Sequence, residues 1–359
     1  MDSGTLLVAG ATGIVGSAAL EHFSSLPGWS VVALSRRAPA VPGVRHVAAD
    51  LTDAAATRHA LAGCGDVTHL LYTALHEKPD LVAGWRDEDQ MRVNLAMLTH
   101  LMDALLPVAR GLRHVTLMQG TKAYGLHHVQ VPVPAKEHWP RAPHAVFYWP
   151  QEDLLRERQA GARWQFSILR PQLILGHAAG SPMNVIGAIG AYAAICRELG
   201  EPLRFPGGGR YVHAASDSRL IARAAAFCAT RPQAAGQTYN VVNGDMLVWQ
   251  DLWPSVAAHF GMPVGEPRPL RLAEAMPAHE STWARLVQRH GLQPFTLAQL
   301  LGSSWQFTDR TFGYGLDAPL DRIVSPIKLW QAGFEHAQDT EDAVRYWLAR
   351  MQQARLLPH

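Results

Sequence analysis

The chain is 359 residues long and 48% hydrophobic, with 32 basic and 30 acidic residues and a formal charge of +2. That is enough apolar sequence for one large α/β domain and a smaller appended lobe. The near-balance of charge, spread along the chain, excludes a polybasic stripe for nucleic acid or a membrane surface and leaves a small molecule as the expected partner. Cys64, Cys196 and Cys228 are odd in number and far apart, with no C-x-x-C pair, and read as reduced core residues of a cytoplasmic protein. The N-terminus shows no signal-peptide core, and the longest weakly polar run, 185–196, falls short of the roughly 18 residues a membrane span needs. The sequence leaves a homodimer open.

The first expected strand, 5–9, runs directly into Gly10-Ala11-Thr12-Gly13-Ile14-Val15-Gly16. A strand that turns sharply and presents its N–H groups to a pyrophosphate needs glycine where a Cβ would block the turn or the ligand, which suits Gly10 and Gly13. Gly16 lets the following helix pack closely on the strand. A second strand, 30–34, ends at Ser35-Arg36-Arg37. A carboxylate there would select NAD, whereas a guanidinium can pair with a 2′-phosphate, so the triplet favours NADPH. A third strand, 44–48, ends at Asp50-Leu51, with Asp50 placed to accept from the adenine amino group. Helix 54–62 and the buried strand 67–72 follow, the latter ending at Thr73-Ala74, where ribose and pyrophosphate would pass. Asn94, on a helix over 87–106, is a candidate brace for that cleft and equally a satisfied structural amide. Strands and helices alternating at this pitch predict an α/β fold, a Rossmann-type doubly wound parallel sheet.

Strand 114–118 runs into Gln119-Gly120-Thr121-Lys122-Ala123-Tyr124-Gly125 at a ligand-bearing strand end. A proline-rich loop, 129–143, reads as a mobile rim, and nearby His127, His128, His138 and His144 read mainly as rim residues, since no zinc pattern is present. Tyr148 opens the next helix and is the expected acid of this architecture. The residue four positions on is Glu152 where the usual Tyr-x-x-x-Lys pattern has lysine, and a carboxylate beside a phenol disfavours the phenolate. Strand 165–169 leads through Arg170-Pro171 out of the nucleotide-binding half, with Pro171, Leu173 and Ile174 completing the cofactor contacts begun by Thr12, Ile14, Leu51 and Gln119. Helices are expected over 187–197 and 219–228, the second capped within Ser216-Asp217-Ser218, and a strand over 239–242. Residues 1–175 are read as the dinucleotide-binding domain and 176–359 as a smaller, mainly helical C-terminal substrate lobe, with 211–245 returning to the first. Most of the C-terminal tryptophans suit a core. Trp305 and Phe307, on a stretch between helices, are pocket candidates, with Trp149 and Met183.

Several of these stretches, in this order, resemble the progesterone 5β-reductase and iridoid synthase-like branch of the extended short-chain dehydrogenases. They are the G-x-x-G-x-x-G turn, Ser35-Arg36-Arg37, Lys122 in the segment where ordinary members carry a serine-rich run, Phe147-Tyr148-x-x-x-Glu152-Asp153, Leu169-Arg170-Pro171, Tyr239-Asn240-Val241-Val242-Asn243-Gly244-Asp245 and Trp305-x-Phe307. The resemblance implies NADPH-dependent 1,4-reduction of a C=C bond conjugated to a carbonyl. Tyr148 would donate to the enone oxygen, Lys122 would sit near it and the cofactor, and Phe307 would line the pocket. The chain departs from that family at Val146 and Trp149 and in its His-rich loop. Two other classes fit the same fold. A nucleotide-sugar epimerase or dehydratase needs a competent tyrosine base, against which Glu152 and Arg36 argue. A non-catalytic NADP(H) sensor has no need of both Tyr148 and Lys122.

Overall fold

Leu6-Leu7-Val8-Ala9 offers no polar position, and a strand apolar on both faces needs cover on both sides. In the computed structural model, which describes residues 3–126, 130–314 and 321–359, this run forms β1 (Gly4–Ala9), an interior strand of a seven-stranded parallel sheet. The strand order is β3 (Arg45–Ala48), β2 (Trp29–Ser35), β1, β4 (His69–Tyr72), β5 (His114–Met118), β6 (Gln165–Pro171) and a last strand, Thr238–Val241. Side chains alternate across β1. Leu6 and Val8 pack against α1 (Ile14–Ser24) and α7 (Ser218–Thr230). Leu7 and Ala9 pack against α2 (Ala54–Leu61) and α4 (Glu88–Leu105). The order reverses between β1 and β4, and such a reversal opens a crevice at the carboxyl ends of the strands. The chain has the expected Rossmann-type fold.

After the short α3 (Leu81–Gly84) and after α5 (Tyr148–Gln159), the chain builds a second core on α6 (Val185–Glu198). Residues 185–196 are all buried, and a helix apolar all round is stable only inside a core. The helix starts two residues before the expected 187 because Asn184 caps it, its Oδ1 accepting from Gly187 N at 3.0 Å. Trp249, Trp253, Trp283 and Trp347 pack around α6, none more than 3% exposed. Asp217 caps α7 by accepting from Arg219 N at 2.8 Å, while Ser216 donates to Val241 O at 2.6 Å. The three cysteines are buried and free, and among the described residues no helix is long and apolar enough to cross a membrane.

Two local expectations need correction. The stretch carrying Trp305 and Phe307 does not lie between helices; it is itself the helix Ser304–Thr311. Ser304 pins its start, donating to Ser181 O at 2.7 Å and accepting from Asn184 N at 3.0 Å. The described part of the loop after Tyr124 is not a mobile rim. Ala135 N donates to Ile323 O at 2.9 Å, Asn240 N donates to Glu137 at 2.8 Å, and Val131 and Ala135 are buried with Val324. His127, His128 and Val129 lie outside the described residues. His138 is exposed, and the half-buried His144 donates through Nε2 to Lys122 O at 2.7 Å. Among the described residues no group of His, Cys, Asp or Glu could hold a metal ion.

Candidate active site

A cavity of about 600 Å³ runs from the end of β2, over the glycine turn, to the helix Ser304–Thr311. The turn is shaped by backbone contact. Gly10 sits at φ +82°, and a Cβ there would lie 2.7 Å from Ala74 N. A Cβ on Gly16 would lie 2.2 Å from Gly10 O. Gly13 is the N-cap of α1 with no side-chain bond to the first turn, so the amides there stay open to an anion, beside Thr12 and Ile14.

At the β2 end, Ser35 Oγ donates to Arg37 O at 2.7 Å, which tightens the bend presenting Arg36 and Arg37 to the cavity rim. Asp50 and Leu51 line the same end. Asp50 Oδ1 accepts from Thr52 N at 3.0 Å and Thr52 Oγ1 at 2.8 Å. The backbone hydrogen bond is the main cause that lowers its pKa, with Arg36 adding to it. Thr73 donates to Ala9 O at 2.8 Å and lines the floor with Ala74. Asn94 does not reach the cavity. It is fully buried, accepts from His76 N at 2.9 Å and donates to His76 O at 2.8 Å, and so fixes the 73–78 segment from beneath. Asn94 is thus the structural amide that the sequence allowed, and His76, which it holds, lines the cavity.

At the carboxyl end of β5, Gln119 locks two neighbours: its Oε1 accepts from Arg170 Nε at 2.9 Å and its Nε2 donates to Tyr148 O at 3.3 Å. Gly120 leaves room for the phenol of Tyr148, since a Cβ there would stand 3.1 Å from Tyr148 Oη. Tyr148 is 8% exposed and opens α5. Burial, and then the negative charge of Glu77, push its pKa well above the usual phenol value, only partly opposed by Arg170. Lys122 Nζ lies 3.5 Å from Glu77 and 4.0 Å from the centre of the Trp85 ring. Burial lowers its pKa to about 8, with Glu77 pulling it up and Arg310 pushing it down. Pro171, Leu173 and Ile174 close the wall facing the glycine turn.

Burial does most to keep Tyr148 neutral, and the carboxylate that adds to it is Glu77, not Glu152. Glu152 is one helical turn further on, 2.7 Å from Arg156, 3.3 Å from Arg141 and 3.9 Å from Arg170, and it does not line the cavity. Met183 and Phe307 face the cavity as expected, but Trp305 and Trp149 do not. Two residues apart on a helix point about 200° from each other. Trp305 accordingly joins the core around α6 while Phe307 reaches the cavity. Trp149 lies beside it, its ring under Arg141 at 5.1 Å and Arg170 at 5.6 Å.

Residues 43–358 match the family model described as a PRISE-like Rossmann-fold domain. The chain belongs to that family. The PRISE-like protein is similar to a 3-oxo-Delta(4,5)-steroid 5-beta-reductase of Arabidopsis thaliana, 31% identical over 98% of this chain and 92% of the relative. It is also similar to an (S)-8-oxocitronellyl enol synthase of Camptotheca acuminata, 33% identical over 86% and 82% of the two chains. Among solved structures, the Bordetella bronchiseptica enzyme WbmG in complex with NAD and UDP aligns over 99% of this chain and 97% of its own, with a TM-score of 0.67 at 17% identity. Thermus thermophilus UDP-glucose 4-epimerase in complex with NAD covers 98% of this chain and 99% of its own, with a TM-score of 0.66 at 18% identity. At that identity the two structures share the fold with the PRISE-like chain, an oxidoreductase of the short-chain dehydrogenase/reductase class. Glu77, Trp85, His213, Arg310 and Arg322 also shape its site and were not legible beforehand. They sit on irregular segments or remote helices, with no periodicity or motif to flag them.

Proposed function

We propose that the protein is an NADPH-dependent reductase that delivers hydride to the β-carbon of an α,β-unsaturated carbonyl compound. The observation that carries this reading is the buried, neutral phenol of Tyr148 facing the cavity beside Lys122, with no lysine one turn along α5 to make it a base. One relative, moreover, is named for 5β-reduction of a 3-oxo-Δ4,5 steroid. The lining suits a dinucleotide: the glycine turn brings uncapped helix-start amides to the cavity, and Arg36 and Arg37 on its rim would supply cations for a 2′-phosphate. Bound there, the reduced nicotinamide supplies the hydride. As charge moves onto the substrate carbonyl oxygen, Tyr148 donates a hydrogen bond to it, and the Lys122 ammonium adds a favourable field. The surrounding apolar wall of Leu126, Phe147 and Phe307 keeps water from competing for that oxygen.

The direct test is NADPH consumption with small enals and cyclic enones, followed by identification of the saturated carbonyl product. Tightly held NAD in the purified protein and no consumption across the panel would overturn the reading in favour of an epimerase. Arg36→Ala is expected to lower kcat/KM for NADPH about tenfold to a hundredfold, the range for a hydrogen bond to a charged group. The value for NADH stays close to wild type, and steady-state kinetics with both nucleotides measure the contrast.

Lys122 sets a pH dependence. Its ammonium persists below about pH 8 and is lost above it, so kcat/KM for the enone falls as pH rises through about 8. Lys122→Met lacks that limb. Stability runs the other way: the folded-state value lies below the ordinary 10.5, so the unfolded chain binds more protons between about 8 and 10.5 and this group's contribution to stability rises with pH there. A pH–rate profile paired with thermal melts separates the two trends.

A further inference from the structure

The end of the cavity beyond Lys122 is built for a charge that the proposed enone chemistry does not need. His213 is 1% exposed and lines the cavity, and its ring makes no hydrogen bond of good geometry, the Thr311 carbonyl being the backbone group that acts on it. The neighbouring Thr311 carbonyl already accepts from the Tyr211 hydroxyl. Buried polar groups are almost always hydrogen-bonded, and one carbonyl cannot satisfy both ring nitrogens, so this imidazole marks a place where a partner is missing. Arg322 lines the same end, and its buried Nε also has no partner. No ion pair joins Arg322 to a carboxylate among the described residues. Of the acids described, only Asp50 lines the cavity, and it belongs to the β2 end.

Backbone pairing fixes both groups. Ala214 N donates to Arg322 O and Arg322 N donates to Val212 O, each at 2.9 Å, while His213 and Leu247 exchange two hydrogen bonds of 2.9 Å. The Tyr211 ring packs against the His213 ring at 4.3 Å between centroids and lies under the Arg322 guanidinium at 5.8 Å. Burial, and then the charge of Arg322, push the His213 pKa down to about 3, only partly opposed by the Thr311 carbonyl, so its ring is neutral and carries one N–H. A planar guanidinium beside a neutral N–H donor matches the two oxygens of a carboxylate. Arg310 also lines the cavity, 5.4 Å from the Trp85 ring that Lys122 meets at 4.0 Å.

We infer that His213 and Arg322 form an anion subsite, and that the substrate is an unsaturated carbonyl compound carrying a carboxylate remote from its C=C bond. The inference rests on the enone-reductase reading for the reaction but not for the binding, and the test keeps the two apart. The probes are an acyclic enone ending in an alkyl carboxylate, its methyl ester, and the saturated analogues of both. Titration calorimetry of the NADP-loaded protein with the saturated pair reads the subsite without turnover. Initial rates with the unsaturated pair and NADPH read the reaction. The acid is expected to bind about tenfold to a hundredfold more tightly than the ester, the range for a hydrogen-bonded charge, and to show the same ratio in kcat/KM. Arg322→Gln collapses the acid-to-ester ratio toward one, and Arg322→Lys, which keeps the charge without the planar fork, restores only part of it. Should Arg322→Gln fail to fold, the wild-type pair of ligands still decides. Equal binding of acid and ester overturns the subsite. Carboxylate-dependent binding with no turnover of either enone keeps the subsite and overturns the reductase reading instead.

Discussion

On the proposed mechanism, Tyr148→Phe is expected to lower kcat for enone reduction by about a hundredfold to a thousandfold, the usual cost of removing one donor from an oxyanion-stabilising site. KM for the enone and the affinity for NADPH change little. The split follows from where the hydroxyl acts. It stands over Gly120, whose missing Cβ leaves the phenol unobstructed, and the ring keeps its place through Phe147, whose ring meets it edge-on at 4.6 Å. Removing one oxygen leaves that packing intact and takes away only a hydrogen bond that strengthens as the carbonyl oxygen gains charge. Burial and Glu77 hold the phenol protonated across the working range, so it acts as a donor throughout and contributes no alkaline limb of its own. The limb near pH 8 belongs to Lys122 and persists in Tyr148→Phe. Initial rates over a range of pH, with NADPH binding followed by fluorescence, check both statements. A variant with unchanged kcat would remove Tyr148 from the mechanism.

What the sequence made legible was whatever repeats a local rule. The glycine spacing, the apolar strands and the Tyr148 helix start follow from backbone geometry within a few residues of each other, and the observed elements match them to within a residue or two. Contacts between distant segments were not legible. Glu152 looked decisive because it is one helical turn from Tyr148, yet Arg156 on its own helix and Arg141 and Arg170 from separate segments draw it away. Glu77 lies 71 residues upstream by number, in a segment with no regular structure, and reaches Tyr148 only because Asn94 and Gln90 fasten that segment to α4. Asn94 was noticed as a polar residue on an amphipathic helix, and its partner turned out to be backbone rather than ligand. The pairing of Trp305 with Phe307 failed for a periodic reason: a loop can turn both toward one cavity, and a helix cannot.

Gly16→Val is expected to abolish the proposed NADPH binding, and the reason lies within the glycine turn. A Cβ at Gly16 would meet Gly10 O at 2.2 Å and Ala11 Cα at 2.8 Å, both of them backbone, so no rotamer change relieves the clash. Gly10 O also accepts from Gly13 N at 3.0 Å, so moving it opens the turn whose amides face the cofactor. Overpacking of this kind costs about 1–3 kcal/mol of stability, and the loss of binding comes on top of it. Gly13 behaves differently. It has φ −80°, and its added Cβ would stand 3.3 Å from Gly10 O, a contact relieved by a shift of a few tenths of an ångström. Gly13→Ala therefore melts close to wild type and loses affinity for NADPH through direct crowding of the pyrophosphate. Gly63→Ala, whose Cβ would meet nothing within 4 Å, changes neither quantity. Thermal melts and NADPH titrations of the three variants give a distinct pattern for each. If Gly13→Ala melted as early as Gly16→Val, the turn would owe its glycines to packing alone, and its use as a cofactor cradle would lose its main physical support.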